Sequence, residues 1–98
     1  MDVRVNSPNV TPFQAVNGMR RPFVRAFGRG PVAHKLGKAA WTAFHAALTH
    51  GCGLPVAAAH AVVAAQERNQ RVALVARWPQ QRIDEAVQHA ACVASNAR

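Results

Sequence analysis

From Pro31 to about residue 50 the chain places apolar side chains mostly four apart: Val32, Leu36, Ala40, Phe44 and Leu48, with Ala43, Ala47 and Trp41 widening the stripe. His34, Lys38, Thr42, His45 and Thr49 fall opposite. That spacing predicts an amphipathic helix over about 31–50, with Pro31 at its first position. Gly51 and Gly53 break it, and Pro55 restarts a second helix over about 55–68. This second helix carries Val56, Ala59, Val62, Val63 and further alanines nearly all round, so other elements must cover most of it. The two read as helices folded back on each other.

After the polar run Glu67-Arg68-Asn69-Gln70-Arg71, the segment 71–78 is ambiguous. Val72, Leu74, Ala76 and Trp78 alternate as in a strand, and the same residues also extend a helix; the helix is preferred, with the strand left open. Pro79 opens a third main helix over about 79–95, with Ile83, Val87, Ala90 and Ala94 on its buried side and Asp84 and Glu85 toward the positive end of its dipole.

Toward the N-terminus, Thr11-Pro12-Phe13-Gln14 fits a capping box for a short helix that Asn17-Gly18 stops. Residues 1–12 hold prolines and asparagines around Val3 and Val5 and read as an arm, or alternatively as a short edge strand. If Pro22 begins a helical turn, Phe23 and Phe27 share one face while Arg21, Arg25 and Arg29 follow the same spacing on another. The expected fold is all-α, in a single domain overall. Residues 31–98 form a small bundle of three main helices, and residues 1–30 are an irregular basic arm with one or two short helical turns.

At 98 residues, with four Leu, one Ile, four Phe and two Trp for bulk, the core must be thin, which favours a partner or a second copy of the chain. The net charge of +8 is uneven, since residues 1–38 carry seven Lys and Arg against Asp2 alone. A basic third of this kind selects polyanions or acidic protein surfaces. Two cysteines are too few for a secreted disulfide scaffold, and no charged segment followed by an apolar one opens the chain, so a reducing, cytoplasmic setting is expected. The uncharged run Ala39–Gln66 is long enough to span a bilayer, but its histidines, glycines and Pro55, with alanine filling most apolar positions, argue against insertion.

Chemistry is sparse. His50 and Cys52 at the interhelical break and His89 and Cys92 on the last helix could together offer a tetrahedral zinc shell, but the spacing is not a standard one. Packing as buried thiols is the preferred reading of both cysteines, with a disulfide between them the other alternative. His60 is read as a core histidine, and His34 and His45 as polar-face residues. The sparse carboxylates and the lack of any nucleophile elbow or phosphate-cradling loop leave no catalytic constellation, so no enzyme and no cofactor are expected. A helix-turn-helix around Gly51 would present Pro55, Val56 and Ala57–Ala59 to base edges, and these have no side-chain donors or acceptors.

Val72 to Ala90, with Arg77-Trp78-Pro79, Ile83-Asp84, Ala86 and Ala90, resembles the strand and first helix of an Arc-type ribbon-helix-helix repressor. The resemblance covers about a fifth of the chain on a loose pattern, and implies a strand paired across a dimer with Ala73, Val75 and Arg77 facing the major groove. Two of those three are apolar, which departs from a base-reading set.

The reading that absorbs most residues is a small non-catalytic binding protein. Arg20, Arg21, Arg25, Arg29, Lys35 and Lys38 contact phosphates of nucleic acid without sequence preference, and Phe23 or Phe27 is available for base stacking. The alternative of another class is an adaptor or inhibitor of phage or mobile-element type, docking on an acidic or nucleic-acid-binding surface of a larger complex. A ribbon-helix-helix-like regulator and a self-assembling structural protein come third. Replacing Arg21, Arg25 and Arg29 by Ala is expected to leave helical circular dichroism nearly intact while weakening partner binding; loss of the helical signal would make the stripe structural.

Overall fold

A computed structural model describes residues 20 to 96. The Thr11 capping box, the Asn17-Gly18 stop, the Val3 and Val5 strand and the rest of residues 1–19 lie outside the described residues. Four α-helices follow in order: α1 Arg20–Phe27, α2 Pro31–Thr49, α3 Leu54–Asn69 and α4 Gln80–Asn96, with a 3₁₀ turn at Leu74–Ala76 between the last two. The fold is all-α, and the three main helices stand within a residue or so of where periodicity places them.

The α2–α3 hairpin is the most extensive helix pair. Both helices bury mostly alanine, Ala33, Ala40 and Ala47 on α2 and Ala57, Ala58, Ala61 and Ala65 on α3, in one core cluster with Leu36. Alanine adds little hydrophobic energy but keeps rotamer entropy out of the cost and lets helix backbones approach. The reversal between them is a Schellman ending. The Cys52 N–H donates to the Ala47 carbonyl at 3.0 Å and the Gly51 N–H to the Leu48 carbonyl at 3.0 Å, with Gly51 left-handed at φ 88°.

The segment around α1 is more than an arm. α1 packs against both α2 and α4, and α4 packs in turn on α3, so the four helices close a ring. Phe23 and Phe27 are fully or almost fully buried. The Phe23 ring meets Phe44 of α2 with centroids 4.9 Å apart, and Phe27 stacks on Trp78, just before α4, at 5.5 Å. Because ten of the sixteen buried hydrophobic residues among those described are alanine, these rings supply much of the core's volume.

Between α3 and α4 neither the strand nor the helix extension forms. The side chain of Asn69, buried at the end of α3, grips the backbone of Trp78 twice: its Nδ2 donates to the Trp78 carbonyl at 2.9 Å and its Oδ1 accepts from the Trp78 N–H at 3.0 Å. Arg77 donates to the carbonyls of Val72 and Gln70. This leaves Leu74 and Val75 at the tip, 76% and 98% exposed. No strand occurs among the described residues, so the ribbon implied by the repressor resemblance is not formed, and Arg77 is spent on capping carbonyls. Asp84 and Glu85 also fall past the first turn of α4, because the helix begins at Gln80. No helix among the described residues is long and apolar enough to cross a membrane.

Two substitutions test this packing. F23A empties a ring-sized space that alanine-rich neighbours cannot refill, and is expected to cost about 3–5 kcal/mol in chemical denaturation. Gly37 lies on α2 where an added Cβ would meet the Phe27 Cβ at 3.3 Å. Phe27 is backed by Trp78 and cannot easily retreat. G37A therefore sets a helix-propensity gain of about 1 kcal/mol against an overpacking cost of about 1–3 kcal/mol, and a net loss of about 1 kcal/mol is expected; a rise in melting temperature would show that Phe27 yields.

Candidate nucleic-acid interface

The N-terminal half of α2 carries His34, Lys35 and Lys38 on its solvent side. Helical geometry puts a groove on either flank of this ridge. Toward α1 lies a cavity of about 270 Å³ lined by Arg20, Val24, Phe27, Gly28, Ala33, His34, Gly37, Lys38 and Trp41. Toward α3 lies a broader groove of about 600 Å³, in which His34, Lys35, Lys38 and Thr42 face Ala64 and Arg68 over an alanine floor. Both grooves share His34 and Lys38, so cationic groups from three helices, Arg20, Lys35, Lys38 and Arg68, border one continuous face. No described residue lining either groove is acidic.

The sequence-predicted set is thus divided. Arg20, Lys35 and Lys38 come together. Arg21, Arg25 and Arg29 are exposed on α1 and the turn after it, and border neither groove. Phe23 and Phe27 are not available to stack on bases, because the alanine-rich core takes both rings to fill the gap between α2 and α4. An aromatic that does reach the groove surface is Trp41, half-buried on α2. Its ring has the Arg20 guanidinium 5.6 Å above its centroid and the His45 ring 5.3 Å away. Its Nε1–H is buried and finds no acceptor among the described residues, an uncommon state for an indole donor.

Arg68 and the indole were missed by pattern reading. Arg68 sits in a polar run that looked like a solvated helix end, and only the hairpin brings it across to α2. Lys35 lies 16 residues before Gly51 and Arg68 17 after it, so symmetric folding about that glycine was the available signal.

The zinc set does not assemble. Among the described residues no three His, Cys, Asp or Glu side chains are placed to hold a metal ion. His50 and Cys52 line a shallow groove with His60 at the hairpin turn, whereas Cys92 lies on α4 beside Leu54 and Pro55 at the start of α3. No disulfide joins the cysteines. Cys92 is exposed and Cys52 half-buried, so the expectation of two buried thiols fails for Cys92. His60 is likewise exposed, at the rim of the groove it shares with Ala43, Ala46 and Ala47 of α2, so it is not a core histidine.

No protein-family model, curated protein or solved structure matches the chain.

Proposed function

We propose that this protein is a small non-catalytic nucleic-acid-binding protein that grips the phosphate backbone without sequence preference. The observation that carries the reading is the convergence of Arg20, Lys35, Lys38 and Arg68 from three helices on one face whose described lining contains no carboxylate. Cations gathered on a concave surface attract phosphates and release their counterions, a contribution indifferent to sequence. Arg21, Arg25 and Arg29, exposed on and just after α1, extend the positive field beside it. The lack of side-chain donors and acceptors over Leu54–Ala59, the first turns of α3, fits tolerance of sequence.

A second reading, an adaptor or inhibitor that docks on a larger complex, is favoured by a different observation. Leu74 and Val75 protrude from the α3–α4 connection, and Val56 and Val63 are each about half exposed on α3. Apolar side chains held out in this way suit a protein partner. What co-purifies separates the two readings: absorbance dominated by 260 nm and removed by salt supports nucleic acid, and a stoichiometric protein supports the adaptor.

The salt dependence of binding tests the first reading quantitatively. Four phosphate contacts on a single strand predict an affinity loss of about 50-fold between ~50 and ~200 mM salt. The variant R20A/K38A/R68A is expected to bind more weakly at low salt and to flatten the log–log slope by about 2, whereas R21A/R25A/R29A should have the smaller effect. An affinity that hardly changes with salt would overturn the proposal.

A further inference from the structure

Resting on the nucleic-acid reading, we infer that the cavity between α1 and α2 receives one unpaired base of a single strand, with Trp41 as its recognition wall. The cavity has the composition such a guest requires. Val24, Phe27, Ala33 and Gly37 give apolar surface for a flat heterocycle, and Arg20, His34 and Lys38 stand where the flanking phosphates would lie. Its volume of about 270 Å³ sits just below the range of roughly 300–1,000 Å³ typical of small-ligand sites. A paired base stays in its stack, so a concave site of this kind selects single strands.

The indole supplies the second, independent observation. A buried N–H without an acceptor is costly, and a tryptophan normally satisfies it. Here the Trp41 Nε1–H meets none among the described residues, while the same side chain lines the cavity. Every nucleobase carries a carbonyl oxygen or ring nitrogen able to accept from it, which explains recognition of a base without choice among bases. Arg20 is the movable part of the wall. Its side chain is exposed and held over the ring by a cation–π contact at 5.6 Å, and such a side chain rotates on a picosecond to nanosecond scale. Swinging outward to a phosphate, it clears the face of the indole over which it stood, so that phosphate capture and base entry draw on one movement of Arg20.

The test compares a single-stranded oligothymidylate of about 12 nucleotides, within the usual single-domain site sizes, with an abasic strand of equal length and charge. Affinities of the full-length protein are measured by fluorescence anisotropy of labelled strands at low salt. The base-bearing strand is expected to bind about tenfold tighter than the abasic one. W41F should reduce its affinity to the abasic level and leave abasic binding unchanged. In W78F, whose only indole is Trp41, the base-bearing strand should quench tryptophan emission more strongly than the abasic strand does. Equal affinity for the two strands would overturn the base pocket and leave backbone binding standing. Equal weakening of both strands by W41F would also overturn it, because Trp41 would then act through the fold. Binding of neither strand would remove the nucleic-acid reading itself, and the pocket assignment with it. If W78F does not fold, the anisotropy comparison of wild type with W41F decides alone.

Discussion

The structure depends on the burial of two phenylalanine rings in a core otherwise built largely from alanine. Phe23 and Phe27 fill the space between α2 and α4, and no alanine helix supplies the volume needed to do so. A thin core tolerates close helix approach but gains little per residue, so a few large rings carry a disproportionate share of the stability. Phe23 against Phe44 and Phe27 against Trp78 join three separate parts of the chain, α1, α2 and the end of the α3–α4 connection.

The charge arrangement follows from that burial. Once Phe23 and Phe27 face inward, the helical period turns Arg20 and Val24 toward α2 and leaves Arg21 and Arg25 on the outer surface. The described basic residues from Arg20 to Lys38 are therefore not one tail. They divide into a pair of flanks, one built into a groove and one free in solvent. Gly37 permits this docking, because any side chain there would press on Phe27. The half-buried aromatic that lines the groove is accordingly Trp41, while Phe23 and Phe27 are consumed by packing.

The α3–α4 connection illustrates how side-chain hydrogen bonds override local pattern. Val72, Leu74, Ala76 and Trp78 alternate like a strand, but among the described residues there is no neighbouring strand to satisfy a ladder. Asn69 and Arg77 take the backbone groups instead and hold a 3₁₀ turn. Trp78 is fixed on three sides in this way: by the Asn69 amide, by the Phe27 ring and by the Arg82 guanidinium 3.7 Å over its own ring. The exposure of Leu74 and Val75 is the consequence of that clamp.

The spacing of Leu36, Ala40, Phe44, Ile83, Val87 and Ala90, with Gly51 and the prolines as punctuation, was enough to determine the all-α class, the three main helices and the hairpin, because helix periodicity and helix ends are local properties of the chain. The opposition of Phe23 and Phe27 to an arginine stripe was also legible, but not which of the two faces would be used. That choice was tertiary: only the unfilled gap between α2 and α4 demands the rings. The same holds for Arg68 across the groove from Lys35 and for Asn69 on Trp78, each of which brings together residues distant in sequence and exists only after the helices have met. The burial of the Trp41 N–H without an acceptor among the described residues is likewise a product of packing.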